Sequence, residues 1–381
     1  MAIVFALVTV LAQSAQAQTY KVIHDFTGGN DGQHPLATLT ADRAGNLYGS
    51  AWDTVFKMSN KGGGWVLTPL YIFPGGNGGA YPGDVVFGPD GSLYSTAGGG
   101  DPYCNCGLVF NLKPPASRPA SLYSPWKATV LYTFKGSPYD GAYPYGDALI
   151  FDSAGNLYGT TYAGGSDRLG VAYELTPSSN GWTETIIDNF SYPTNGPYSG
   201  VIMDSAGNLF GTTGDGTVVF ELSPTPSGWV ETALHTFKRP DGYLAYGGLV
   251  MDTAGNLYGA TAVGGTYGSG VIYELSPSSG GWNYQILYNF TTGEGPYASL
   301  TLDAAGNLYG MTHGGGVNSA GSVFEFSPSN GSWTFTELHD FSFESEYFPQ
   351  GGVTLDSNGN LFGMTSAGGA YGHGVVWGIT P

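Results

Sequence analysis

Residues 152–161 read DSAGNLYGTT, and the same ten positions return as DSAGNLFGTT at 204–213, DTAGNLYGAT at 252–261 and DAAGNLYGMT at 303–312. The leucine of this stretch recurs at Leu47, Leu93, Leu157, Leu209, Leu257, Leu308 and Leu361, with spacings of 46, 64, 52, 48, 51 and 53 residues. Seven copies of a Gly- and aromatic-rich unit near this length have the period of β-propeller blades. Each copy offers four alternating runs, clearest in the fifth as GGLVMD, NLYGAT, GVIYELSP and WNYQILYNF, parted by Gly, Pro, Ser and Asn. Apolar residues nowhere recur at helical spacing. The sequence therefore predicts an all-β chain, a seven-bladed β-propeller of four-stranded antiparallel blades.

The chain ends dictate how the ring closes. A fourth-strand pattern ending in Phe opens the repeats at Tyr20–Phe26 (YKVIHDF), before any first strand, and the chain stops on a third strand, GVVWGITP. Seven copies of every strand exist only if residues 20–26 join the C-terminal blade, which pairs both ends and hides two sheet edges.

Most of the repeated stretch reads as scaffold. Asp-x-x-Gly-Asn links the first strand to the second, where Asp bonds its own turn and Gly or Asn tolerates positive φ. Asp42, Asp152, Asp204, Asp252, Asp303 and Asp356 hold this place in six copies, and Gly88 in the second. A catalytic carboxylate has no reason to occur six times. The same reasoning covers Glu174, Glu221, Glu274 and Glu325 on the third strand. It also covers His24, His235 and His339 two residues before the closing Phe, where other copies have Tyr71, Tyr132, Tyr288 or Asp188.

Composition narrows the function classes. Only 10% of residues are charged while Gly numbers 64 and Tyr 27, so the surface is wetted mainly by uncharged polar groups, a palette suited to an exported protein. A formal charge of −18 repels phosphate backbones and argues against nucleic-acid binding. The apolar run Ala2–Leu11 followed by Ala15-Gln16-Ala17 has the form of a secretory leader with cleavage after Ala17. Residues 1–17 are thus expected to be a signal peptide and 18–381 a single propeller, secreted or periplasmic and monomeric, with no membrane span. Cys104 and Cys106 are the two cysteines; they read as a small disulfide stapling one loop, or as a metal or redox pair.

The string GNLYGTT, a following GG and then GVxYEL resembles the GloVer tandem repeat of bacterial exported proteins of the choice-of-anchor type. More distantly, Asp-x-x-Gly-Asn-Leu-Tyr resembles the blade turn of NHL-type propellers. The resemblance spans essentially the whole mature chain and implies a propeller. It carries over no catalytic residue.

Site candidates are residues that break the repeat on the face formed by the loops from fourth to first and from second to third strands. Tyr198, Tyr246 and Tyr297 occupy one aligned place before the first strands of blades four to six, and Tyr145 sits one residue out of register in blade three. Leu36, Pro82 and Gln350 take that place elsewhere. The tyrosines read either as stacking platforms for sugar rings or as packing against their own loops. Asp84 and Asp147 begin the first strands of blades two and three, with Asp101, Asp140 and Asp167 in nearby loops. They are solvated loop charge or oxygens for Ca²⁺, with no ordered ligand spacing and no other cofactor implied. His313 and His373 lie in the last two second-to-third loops as polar loop residues, metal ligands or a general base. Two functions follow: a module binding an extracellular carbohydrate or protein ligand, or a propeller enzyme, a lyase or hydrolase, acting at the same face.

Overall fold

The repeated turn is the unit from which the molecule is built. Asp152 Oδ1 accepts the backbone N–H groups of Ala154 (2.9 Å) and Asn156 (2.8 Å), and Oδ2 accepts Asn156 Nδ2 (2.8 Å) and the Tyr158 hydroxyl (3.2 Å). Gly155 takes φ +88° at the tip. Partial burial pushes the Asp152 carboxyl upward, but the bonds from Asn156, Ala154 and Tyr158 outweigh it and hold the group below the usual carboxylate range. Asp42, Asp204, Asp252, Asp303 and Asp356 accept the same backbone pair and the same Asn side chain. The second copy departs from this scheme. The Tyr94 ring stands over Gly88, where a Cβ would meet it at 2.2 Å, and the carboxylate comes from Asp90, which accepts Ser92 N and Oγ at 3.0 and 2.9 Å.

The computed structural model describes residues 18–62, 64–74, 81–99, 104–115, 126–144, 149–192, 196–214, 218–293 and 295–380. These are strands, turns and loops without a helix, arranged as seven antiparallel blades in a ring. Blade five runs outward from the axis as Val250–Met251, Leu257–Ala260, Val271–Ser278 and Gly281–Asn289. The glycine after Leu-Tyr is demanded by packing. In blade five a Cβ on Gly259 would meet the Tyr273 hydroxyl at 2.3 Å, and in blade seven one on Gly363 would meet Trp377 at 2.3 Å.

Closure follows the sequence reading. Blade seven consists of Thr354–Leu355, Leu361–Gly368, Val375–Thr380 and, outermost, the N-terminal strand Thr19–Asp25, with Tyr20 opposite Ile379 and Asp25 opposite Val375. Each outer strand carries one extra residue where it pairs with the third: Ile23, Leu70, Leu131, Ile187, Leu234, Leu287 and Leu338. These are β-bulges, which bend a strand and re-aim the side chains beyond. The core is divided among seven seams between neighbouring blades. In one of them Tyr158 and Ala172 of blade three pack on Val201, Leu209 and Phe220 of blade four.

In several blades the residue after the bulge reaches across the seam to the outer strand of the following blade. His339 stacks on Tyr20 (3.5 Å, 2° between planes), His235 on Tyr284 (3.9 Å, 6°) and Tyr288 on Phe335 (4.5 Å, 3°). Tyr132 instead donates to Glu184 Oε2 at 2.8 Å. Glu346 accepts from the Tyr20 hydroxyl at 3.1 Å and lies 3.3 Å from His339 Nε2, latching the N-terminal strand to blade six.

Candidate functional site

Short inner strands leave a channel along the axis. Its throat is formed by the residues just ahead of the first strands, and at three of the described seams a backbone N–H of one blade reaches a side chain of another. Gly352 N donates to Thr38 Oγ1 (2.8 Å), Thr38 N to Asp84 Oδ1 (2.6 Å) and Gly248 N to Ser299 Oγ (2.8 Å). Below it lies a cavity of about 220 Å³, lined by Ile150, Ile202, Thr301 and throat residues including Gly200, Gly248 and Gly352.

Above the throat the channel opens into a cavity of about 570 Å³. Six register-equivalent residues, Leu36, Pro82, Tyr198, Tyr246, Tyr297 and Gln350, all line it. Tyr145, from blade three, lies outside the described residues, as do Asp147 and Asp101. The tyrosines are half-buried and stand edge to face, Tyr198 to Tyr246 at 5.2 Å and 83°, and Tyr246 to Tyr297 at 5.2 Å and 64°. The arc extends at both ends, to Tyr162 (4.5 Å from Tyr198) and to His313, which stacks on Tyr297 at 4.3 Å and on Phe348 at 5.4 Å. Each edge-to-face contact uses the edge of one ring and the face of its partner, and His313 covers one face of Tyr297, yet all three tyrosines line the cavity.

The opposite wall was not singled out from sequence. Trp52 (φ +32°) and Tyr81 (φ +42°) lie 5.4 Å apart and line the cavity, with His34 behind Trp52 at 5.5 Å. A signal for Trp52 existed: the loop after the second strand of blade one is cut to Trp52 and Asp53, where five of the six later copies have a Gly pair and a longer loop. Ser50 faces the cavity too, while its hydroxyl donates to the Pro82 and Gly83 carbonyls at 2.8 and 3.0 Å.

The remaining candidates disperse. Asp84 lines both cavities. Asp140 is buried at the seam of blades two and three, accepting Tyr132 OH (2.9 Å), Lys135 N (2.8 Å) and Gly141 N (2.6 Å). Asp167 is exposed on its loop. His373 is not beside His313; its ring lies over Gly28 and 5.6 Å from that of His34, outside the residues lining the mouth. Cys104 and Cys106 form a disulfide with each other. Among the described residues, no three His, Cys, Asp or Glu side chains are grouped to hold a metal ion, and no helix is long and apolar enough to cross a membrane.

Solved structures of similar fold include virginiamycin B lyase from Staphylococcus aureus, crystallised as a catalytically inactive variant with quinupristin. It is 14% identical, with a TM-score of 0.62 over 96% of this chain and 99% of that one. The extracellular domain of BT4673 from B. thetaiotaomicron is 14% identical, with a TM-score of 0.57 over 94% of this chain but 39% of that chain. At such identities the likeness is one of fold. No curated protein matches the chain. The Gloeobacter/Verrucomicrobia repeat matches residues 50–224 and again 214–381, so with its seven blades and recurring turns the chain belongs to that repeat family.

Proposed function

We propose that this is an exported binding module that recognises a ring-bearing extracellular ligand, a carbohydrate first among them, in the cavity at the mouth of the channel. The observation that carries the reading is the convergence of Leu36, Pro82, Tyr198, Tyr246, Tyr297 and Gln350, equivalent in six blades yet different in chemistry, on one space of about 570 Å³. A volume of this size suits a small ligand or the end of a longer one, and half-exposed aromatic faces stack on sugar rings. Export is supported by the leader-like first 17 residues and by the low content of charged side chains. The test is a titration of neutral, amino and acidic oligosaccharides and of small lactones, with and without Ca²⁺, followed by calorimetry and by intrinsic fluorescence, the Trp52→Phe variant isolating the signal of Trp52 on the cavity wall among the eight tryptophans. Binding of none of them, in either condition, would refute the reading.

A lyase or hydrolase at the same mouth is the second reading, favoured by one feature: the ring of His313 stacks on the cavity-lining Tyr297 and on Phe348. An imidazole fixed in this way could serve as a general base. Conversion of a bound saccharide or lactone, abolished by His313→Ala while binding persists, would turn the module into an enzyme.

A further inference from the structure

We infer that the ligand of the mouth cavity carries a positively charged amino group, held at the throat by Asp84. The inference rests on the mouth being the binding site and specifies its ligand. Among the described residues lining the mouth or the channel below, Asp84 carries the one formal charge; the rest are apolar, aromatic or neutral polar. No lysine or arginine is among these described lining residues, so an acidic sugar placed here would face the Asp84 carboxylate, whereas an ammonium group would be attracted to it.

Position strengthens the argument. Asp84 and Thr38 are the side chains shared by both cavities, so the carboxylate stands on the path a ligand follows from mouth to channel. Its Oδ1 is fixed by Thr38 N at 2.6 Å, which anchors the group at the throat. Above it stand Tyr198, Tyr246, Tyr297, Tyr81 and Trp52, and ring faces of Trp and Tyr attract cations as well as sugar rings. A carboxylate floor under aromatic walls thus matches an ammonium group borne on a ring, the chemistry of a sugar whose amine is free rather than acetylated. The formal charge of −18 on the whole chain draws the same ligand in by long-range attraction.

Oligomers of glucosamine, of N-acetylglucosamine and of galacturonic acid separate these chemistries. They are titrated into the full chain by calorimetry at about pH 5.5, where a sugar amine is protonated. The glucosamine oligomer should bind at least about tenfold more tightly than the acetylated one, and the uronate least. Asp84→Asn keeps an oxygen for Thr38 N, so it should fold with unchanged melting while losing that preference. Asp167→Asn removes an equal charge on an exposed loop and should keep it. Equal binding of the amine and acetylated oligomers overturns the inference and leaves the mouth as a site. Equal losses from the two Asn variants, or neutral-sugar binding that appears only with Ca²⁺, do the same. If none of the three oligomers binds while another oligosaccharide or a lactone does, the inference falls and the mouth remains a binding site; if nothing in that wider panel binds, the proposed function falls with it.

Discussion

The two faces of the disc are built by opposite rules. On the face of the Asp-x-x-Gly-Asn turns, six blades repeat the same bonds, and blade two, with Gly88 in the Asp place, supplies its turn carboxylate from Asp90 instead. On the face of the channel mouth, one aligned place holds Leu36, Pro82, Tyr198, Tyr246, Tyr297 and Gln350. Both sets sit on the same rigid strands. A position that every blade must satisfy in the same way is serving the blade, whereas a position free to differ while facing a shared space can serve a ligand.

The largest perturbation should remove the frame on which both faces depend. Deletion of residues 18–26 strips Thr19–Asp25 from Val375–Thr380, exposes a sheet edge beside the fully buried Trp377 and discards the Tyr20, His339 and Glu346 latch. Cooperative thermal unfolding by near-UV circular dichroism should be lost outright. A sharp transition near the wild-type temperature would mean that the ring is held without its N-terminal strand.

Next in size is the mouth. Replacing Tyr198, Tyr246 and Tyr297 together by Ala should abolish ligand binding. Because the rings are half-buried and pack edge to face, it should also cost about 1 kcal/mol each, a fall of a few degrees in melting temperature for a chain of this length. A loss of several kcal/mol per ring would make them core. The converse experiment belongs to the other face. Asp152→Ala takes the acceptor from Ala154 N, Asn156 N and Asn156 Nδ2, leaves the Tyr158 hydroxyl only Glu174, and should lower stability by about 1–2 kcal/mol in urea, with binding unchanged. If the turn variant weakened binding as much as the mouth variant, the division between faces would collapse.

How much of this was legible in the sequence follows from what a column of repeats can record. Leu157 and its six equivalents, the Gly after Leu-Tyr and the stranded YKVIHDF gave the blade count and the closure, because each is fixed by contacts inside one blade. Trp52 and Tyr81 escaped because they lie in loops that have no column: one is shortened and the other precedes a divergent first strand. The seam pairs escaped for another reason. His339 faces Tyr20 and Tyr132 faces Glu184, so each partner lies in a different column of the next blade. Comparing copies cannot reveal such pairs until the bulge shows where the side chain is aimed.

The smallest expected effect lies in these seams, which sit between the two faces and follow neither rule. Three seams hold stacked rings, but the seam of blades two and three holds Glu184 beside Asp140, bridged by the Tyr132 hydroxyl at 2.8 and 2.9 Å, and the next brings together Asp188 and Glu231. Burial, then the neighbouring Asp140 charge, pushes the Glu184 carboxyl up to about 7 from an ordinary 4.5, and burial raises Asp188 and Glu231 as well. A carboxyl whose folded pKa is raised binds its proton more tightly in the fold. Its contribution is therefore fully present below about 4.5 and is lost as pH climbs to about 7. The turn carboxylates Asp42 and Asp152 act in the opposite sense, supporting the fold above their unfolded pKa and failing in acid. Stability should thus peak in mildly acidic solution. Glu184→Gln should leave melting at pH 5 nearly unchanged and raise stability at pH 8 by about 1 kcal/mol, a figure reduced for the solvent that reaches the seam. The double variant with Asp188→Asn should gain more, and ligand binding should stay constant across the series. A Glu184→Gln chain that loses stability at pH 8 would show instead that the Tyr132 bond to an ionised carboxylate outweighs the repulsion, and that the acidic seam holds its blades as firmly as the stacked ones.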